Sequence, residues 1–136
     1  MSMDARLSDP LCQPFWTAAA AGELQLPWCA LCEAAVWYPE SKCPDCQGRL
    51  HWQRLSGRAT LLSWTVVRKP INTDFEVPYI PALVVPEEAP HARLVTQLID
   101  CEPQALVCDM SLFVKFRPLR LRDGRQFVAP LFAPIL

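Results

Sequence analysis

Two Cys-x-x-Cys pairs constrain the fold of this chain more than any other feature. The pairs are Cys29-Ala-Leu-Cys32 and Cys43-Pro-Asp-Cys46, with ten residues between them. Each pair forms a turn that points both sulfurs the same way, so two facing turns supply four thiolates to one tetrahedral metal ion. Four protein ligands leave no open coordination position, and the spacing therefore predicts a structural site of the zinc-ribbon or rubredoxin type.

Zinc is the metal that this spacing favours, since a closed four-sulfur site with a short loop is typical of zinc ribbons. Iron is the alternative, because four sulfurs discriminate weakly between the two metals. Two disulfides, or four free thiols, would be a different interpretation of the same residues. The first residues, Met1-Ser2-Met3-Asp4, contain no apolar signal region, and we therefore expect a cytoplasmic protein in which disulfides are rare.

Length and charge limit the remaining classes of function. A chain of 136 residues, of which 51% are apolar, can bury one modest core, and a metal site would supplement that core. No apolar stretch reaches the roughly 18 residues that a membrane-spanning helix requires. The net charge of −1 disfavours a nucleic-acid partner recognised through overall positive charge.

Prolines and caps define the local structure. Fourteen prolines exclude long helices after the first third of the chain. Asp9-Pro10 and Gly22 bracket an alanine-rich stretch, which predicts an N-capped helix with a glycine stop. The aromatic pair on this helix, Phe15 and Trp16, would cover either the core of its own domain or a partner subunit.

The apolar patterns predict a mainly β protein. Strands are expected at residues 23–28 and 34–38, which carry the cysteine pairs, and then at 49–55, 58–67, 79–85, 93–99 and 111–117. A short helical turn is expected at 102–106, a bend or bulge at Gly57, and a hairpin at Asp123-Gly124. Five or six strands with a helical turn between the third and fourth predict a small closed barrel of the OB type.

These elements divide the chain into three predicted units. They are an N-terminal helical arm at 1–22, a zinc ribbon at 23–48, and an OB-fold barrel with a C-terminal hairpin at 49–136.

Several short motifs occur in the order of a known family. They are Pro14-Phe15-Trp16, Gly22-Glu23-Leu24, the two cysteine pairs, Tyr38-Pro39, Leu50-His51-Trp52, Ser56-Gly57-Arg58-Ala59-Thr60 and Ser63-Trp64-Thr65-Val66-Val67. With the weaker Ala82-Leu83-Val84 to Leu98, they cover about residues 14 to 117. The chain resembles the acyl-CoA-associated family that joins a rubredoxin-like zinc ribbon to an OB-fold, catalogued as domain of unknown function thirty-five.

This resemblance implies an accessory role. Members of the family accompany thiolases, thiolase-like acyltransferases, aldolases or hotdog-fold enoyl-CoA hydratases. The chain is therefore expected to be a noncatalytic subunit that completes or stabilises such an enzyme, with contact to the acyl-CoA itself as a further expectation and self-association left open. Glu33 and Asp109 stand where the family commonly has glycine, and a residue that follows a Cys-x-x-Cys pair often needs a positive φ.

Arginines are the candidate cofactor-binding residues. Arg58 and Arg93, and with them the group from Arg117 to Arg125, could meet the phosphates of CoA, because guanidinium binds phosphate through two parallel hydrogen bonds. Solvated strand faces are the alternative interpretation of all these arginines.

No set of residues in the sequence predicts catalysis by this chain alone. His51 and His91 are expected at the surface or in packing roles. Cys12, Cys101 and Cys108 lie outside the two pairs and are expected to fill apolar space.

Three other functions stay open from the sequence. A nucleic-acid-binding module is the main alternative, because ribbons and OB barrels occur in such proteins and bases stack on aromatic side chains. An electron carrier with iron at the four sulfurs is the second. The third is a chain that lends residues to the active site of a heteromeric enzyme.

Overall fold

The computed structural model describes residues 7–71 and 74–135 as a mainly β protein, which confirms the predicted fold class. Helix α1 (Gln13–Ala20) follows a 3-10 turn (Pro10–Cys12). The strands are β1 (Gln25–Cys29), β2 (Ala34–Ala35), β3 (Leu50–Arg54), β4 (Arg58–Trp64), β5 (Ile80–Pro86), β6 (Leu94–Leu98), β7 (Ser111–Arg120) and β8 (Gln126–Pro134). The expected helical turn between the third and fourth barrel strands is a 3-10 turn at Pro103–Ala105.

The N-terminal helix begins and ends where its caps predict. The Asp9 carboxylate accepts a hydrogen bond from the Leu11 N–H at 2.9 Å, which satisfies a donor that the first turn leaves unpaired. At the other end Gly22 has a φ of +78°, and the Glu23 N–H reaches the Ala18 carbonyl at 2.9 Å. This closing bond is the pattern of a glycine-terminated helix, and it directs the chain into β1.

The cysteine pairs lie on a three-stranded antiparallel sheet in the order β2-β1-β3. Strand β3 pairs with β1 along its length, from Gln25↔Arg54 to Cys29↔Leu50. The sheet therefore extends past residue 48, because β3 joins the ribbon and not the barrel. The division of the chain into three units stays a prediction.

Strands β4 to β8 form a closed barrel in the order β4-β5-β6-β8-β7. All neighbouring pairs are antiparallel except β6 and β8, which are parallel and match at one register position, Leu98↔Phe132. The Thr96 hydroxyl supports this sparse seam by donating to the Pro130 carbonyl at 2.9 Å. Five strands with this one parallel closure are the Greek-key arrangement of an OB-fold.

One core joins the ribbon to the barrel. Leu26 on β1 is 0% exposed and belongs to the same buried cluster as Leu61, Leu112 and Phe132 of the barrel. A second, smaller buried cluster surrounds Cys29 and contains Val36 and Cys43. Strand β1 therefore contributes to both clusters and fixes the position of the cysteine pairs relative to the barrel.

Two predicted turns have the expected conformation. Gly57, between β3 and β4, has a φ of +94°, which glycine adopts without strain. Asp123-Gly124 lies in the loop between β7 and β8, where the Leu121 N–H and the Arg125 carbonyl bond at 2.8 Å. Within residues 7–71 and 74–135, no helix has both the length and the apolar character to cross a bilayer.

Candidate metal centre and surrounding surface

The four predicted cysteines converge on one point. Their sulfur atoms all lie within 4.8 Å of one another, with Cys29 Sγ 3.6 Å from Cys46 Sγ and Cys32 Sγ 3.8 Å from Cys43 Sγ. Sulfurs placed about 2.3 Å from a central ion at the corners of a tetrahedron are about 3.8 Å apart. The donor set therefore fits a tetrahedral metal ion, and the four cysteines could hold one.

Backbone N–H groups polarise two of the sulfurs. The Cys32 N–H points at Cys29 Sγ at 3.4 Å, and the Gly48 N–H points at Cys46 Sγ at 3.3 Å. The bond from Cys32 lowers the pKa of the Cys29 thiol to about 7, although burial acts to raise it. The pKa of Cys32 is raised to about 12, chiefly by its hydrogen bonds to the sulfurs of Cys46 and Cys29.

The pKa values of Cys29 and Cys32 move in opposite directions because the Cys32 N–H and the hydrogen bonds between the sulfurs favour the thiolate at Cys29, whereas the hydrogen bonds between the sulfurs favour the thiol at Cys32. A divalent cation competes with the thiol protons, so metal binding would release protons and weaken as the pH falls. Cys29 and Cys43 are buried while Cys32 and Cys46 are exposed. One side of the cluster is therefore open to solvent, which provides a route for an ion to enter.

The residues after the two cysteine pairs have the left-handed backbone that the sequence predicted at Glu33. The φ angle is +53° at Glu33 and +62° at Gln47, and neither residue is glycine. Gly48, which follows Gln47, must lack a side chain for a steric reason that the sequence alone did not reveal. A Cβ at Gly48 would lie 3.0 Å from Cys46 Sγ and 3.2 Å from Leu31 Cδ1, so the missing side chain makes room for the sulfur.

The two candidate arginines lie near one end of the barrel, whereas the cysteine pairs lie on the separate three-stranded sheet. Arg58 begins β4, and its carbonyl accepts from the Glu87 N–H at 2.9 Å. Arg93 directly precedes β6, and its guanidinium donates to the His91 carbonyl at 3.4 Å. Both side chains are exposed.

The basic group near the C-terminus is partly neutralised. Arg125 is 2.8 Å from Asp123, and Arg117 is 3.9 Å from Asp100, which also bonds Lys115 at 2.8 Å. The hydrogen bond from Lys115 lowers the pKa of the Asp100 carboxyl, so this acid stays ionised near its basic neighbours. Such pairing weakens the positive potential that a polyanion would need.

The histidines and the remaining cysteines form no catalytic pair in the part of the chain that the structure describes. His51 Nε2 is 3.2 Å from Gln53 Oε1 at an exposed position, and His91 is also exposed. Cys12 is buried, and its thiol donates to the Tyr38 hydroxyl at 2.7 Å. Cys101 is half-buried, and its burial together with the nearby charges of Asp100 and Glu102 raises the pKa of its thiol. Cys108 is exposed, so the prediction that it fills apolar space is wrong.

The aromatic residues of the helix pack on the chain's own barrel. Phe15 is buried, and Trp16 contacts Phe127 of β8 with ring centroids 5.4 Å apart. Beside these rings lies an apolar cavity that the sequence analysis missed. Its walls come from segments far apart in the chain, and only the density of aromatic residues in those segments could have indicated it.

A four-cysteine ribbon joined to an OB-fold barrel is the class that this geometry defines, and comparisons with known proteins agree. The sequence model described as "ChsH2, C-terminal OB-fold domain" matches residues 52–117. A "DUF35 domain-containing scaffold protein" of Pyrococcus furiosus is 33% identical over 98 residues, which cover 69% of this chain and 71% of that protein.

Two further relatives match most of the chain. A "Probable enoyl-CoA hydratase alpha subunit" of Thermomonospora curvata is 30% identical over 123 residues, which cover 88% of this chain but only 36% of that protein. The chain thus spans about a third of that relative. The solved structure of the "Ltp2-ChsH2(DUF35) aldolase" contains a chain that is 25% identical, with a TM-score of 0.82 over 94% of this chain and 97% of that one. The protein belongs to the DUF35 family.

Proposed function

We propose that this protein is a noncatalytic accessory subunit that binds and stabilises an enzyme of acyl-CoA metabolism, such as a thiolase-like enzyme, an aldolase or an enoyl-CoA hydratase. The observation that carries the proposal is the likeness to the chain from the Ltp2-ChsH2(DUF35) aldolase, which extends over 97% of that chain. The relatives named as scaffold proteins and as a hydratase subunit support the same role.

The surface of the ribbon supports a docking role. Leu31 lies within the first cysteine pair, and its side chain is 80% exposed, although a large apolar side chain gains free energy when it is buried. The turn that carries it is held by the two flanking cysteines, so little conformational freedom would be lost on binding. We place Leu31 at the contact with the enzyme subunit.

Coexpression tests this role. A tagged copy of the chain is expressed in turn with each thiolase, aldolase and enoyl-CoA hydratase of its source organism, and complex formation is measured by size-exclusion chromatography with light scattering. We expect a stable complex that Leu31→Ser weakens and that Ile71→Ser leaves unchanged, since Ile71 is 85% exposed but lies outside the ribbon. A chain that stays uncomplexed beside every such enzyme would refute the proposal.

Zinc is the metal that we propose for the four cysteines, with a structural role. The tetrahedral sulfur spacing and the absence of an open position in a four-thiolate site favour this role. Elemental analysis of the purified protein should give one zinc per chain. A red-brown preparation that contains iron instead would support the electron-carrier alternative.

Direct contact with CoA is the most specific part of the proposal. Arg58 and Arg93 are exposed near the same turn, where their guanidinium groups could bind phosphate. Glu87 lines the same surface cavity as Arg58, so a phosphate would also face a carboxylate there. Calorimetry with CoA on Arg58→Ala and Arg93→Ala proteins tests the contact, and an affinity equal to that of the wild type would exclude both residues.

A further inference from the structure

An apolar cavity of about 240 Å³ lies against the outside of the barrel, beneath helix α1. Phe132 of β8 belongs to the barrel core, and side chains alternate between the two faces of a strand. Phe127, Ala129 and Leu131 therefore point to the opposite, outer face, and all three line the cavity. We call this space the aromatic cavity.

The walls of the aromatic cavity are rigid. Among the described residues, seven aromatic residues line the cavity besides the core residue Phe132, which borders it from within the barrel. Several of these rings contact one another. Phe15 contacts Trp16 at 5.0 Å and Trp37 at 5.1 Å between ring centroids, and Trp16 continues the series to Phe127 at 5.4 Å. Tilted and edge-to-face contacts of this kind stabilise each ring in one position, so the cavity exists before any ligand arrives.

The chemistry of the walls selects an uncharged ligand. None of the lining residues that the structure describes carries a charge. Two of the polar groups in the walls already form hydrogen bonds within the protein. The Cys12 thiol donates to the Tyr38 hydroxyl at 2.7 Å, and the Thr96 hydroxyl donates to the Pro130 carbonyl at 2.9 Å. A charged group would lose its hydration here without gaining an opposite charge.

The volume sets the size of the ligand. An apolar cavity of about 150 Å³ binds benzene, which has six carbons. By the same ratio, the present cavity of about 240 Å³ holds about ten carbons. A fused pair of rings has this size, presents flat faces to aromatic walls, and has few torsions to immobilise on binding, whereas a ten-carbon chain would lose the freedom of many torsions.

We propose that the aromatic cavity is a binding site for an uncharged apolar compound with two fused rings, of about the size of naphthalene. Ligand binding at this site is a function separate from the accessory role, because the lining residues belong to this chain and not to a partner protein.

Calorimetric titration of the metal-loaded chain with 2-naphthol at neutral pH tests the site. We expect saturable binding of one molecule per chain. Ala129→Leu adds three carbons to a wall residue that is 5% exposed and should weaken binding at least tenfold. Ala20→Leu makes the same substitution at an exposed position of helix α1. It is the matched control and should bind as the wild type does.

Val95→Phe is a second variant whose folding is not at risk, because Val95 lines the cavity and is 55% exposed. It should weaken binding at least threefold. The proposal is overturned if 2-naphthol shows no saturable binding, or if both Ala129→Leu and Val95→Phe bind it with wild-type affinity. Equal or tighter binding of 1-decanol, which also has ten carbons, would contradict the choice of a fused-ring ligand.

Discussion

Replacing Gly57 by alanine should destabilise the protein more than the same substitution at any of its other three glycines. Gly57 lies where the chain passes from the ribbon sheet into the barrel, and its φ is +94°. A Cβ built there would lie 2.5 Å from Val114 Cγ1, well inside the van der Waals contact distance. Val114 is buried in the barrel core, so it has little room to withdraw.

The magnitude follows from three terms. A left-handed backbone costs an alanine about 1–2 kcal/mol relative to glycine, and overpacking a core by one group costs about 1–3 kcal/mol. Alanine also lowers the conformational entropy of the unfolded chain, which stabilises the folded state by about 0.4–1 kcal/mol. The net loss at Gly57 is therefore about 3 kcal/mol, or a fall in Tm of roughly 10 °C for a domain of this size.

Gly124 provides a matched control because its φ is also +94°, while the nearest atom to an added Cβ is Arg120 Nη2 at 3.9 Å. Gly124→Ala contains the backbone term alone and should cost about 1 kcal/mol or less. Urea unfolding of the metal-loaded proteins, followed by circular dichroism, measures both variants. The difference of about 2 kcal/mol between them is the contribution of the steric contact.

A double-mutant cycle identifies the atom responsible. Val114→Ala removes Cγ1, so in that background Gly57→Ala should cost no more than Gly124→Ala does, with a coupling of about 2 kcal/mol. Equal costs of Gly57→Ala and Gly124→Ala in the wild-type background would refute the steric argument. A full cost that persists when Val114 is alanine would refute it as well.

Four further predictions concern the metal centre, the barrel seam and the surface. Removal of the metal by a chelator should lower Tm and increase amide exchange in the cysteine turns more than in the barrel, and equal exchange with and without metal would contradict the proposed site. Glu33→Gly should relieve left-handed strain at a φ of +53° and stabilise the metal-loaded chain by about 0.5–1 kcal/mol in urea unfolding; a destabilised variant would show that no strain is present. Thr96→Val leaves a buried carbonyl without its donor and should cost about 1–2 kcal/mol, whereas an unchanged unfolding midpoint would show that the seam does not depend on this bond. Lys115→Met should raise the pKa of Asp100, measured by carboxyl carbon NMR, because the hydrogen bond from Lys115 is the main cause of the lowered pKa. A carboxyl whose pKa is lower in the folded than in the unfolded state stabilises the fold at a pH above its unfolded pKa. The difference in stability between the variant and the wild type should therefore disappear as the pH falls through the titration of Asp100.

The sequence predicted those parts of the structure that depend on neighbouring residues. A Cys-x-x-Cys turn, an Asp-Gly hairpin and a proline-led helix start are local patterns whose backbone geometry follows from a few residues. The positive φ at Glu33 could be predicted for the same reason, since the turn imposes it whichever residue is present. The barrel was also predictable, because the number of strands and the position of the helical turn match an OB-fold.

Features that depend on pairing between distant segments could not be predicted in this way. The alternation in β3 shows that one side faces a core, but it does not show which strand lies beside it, and the structure pairs it with β1. The aromatic cavity is a stronger case. Its walls come from the helix, the ribbon and four barrel strands, β5 to β8. Its volume therefore depends on how these elements pack and is not encoded in any one segment.

Strand β1 links the metal centre to the stability of the whole chain. Leu26 lies in the core shared with the barrel, while Cys29, three residues later on the same strand, lies in the buried cluster around the four sulfurs. A residue in a strand is held by its neighbours in the ladder, and β1 is the central strand of its sheet. A metal ion at the cysteines would therefore restrain β2 and the two turns directly, and it would restrain the barrel indirectly, through β1 and the other ribbon residues that pack on the shared core. For this reason the metal should matter most for presenting Leu31 in a fixed position, and the closed barrel should retain its own ladder of hydrogen bonds when the cysteine turns open.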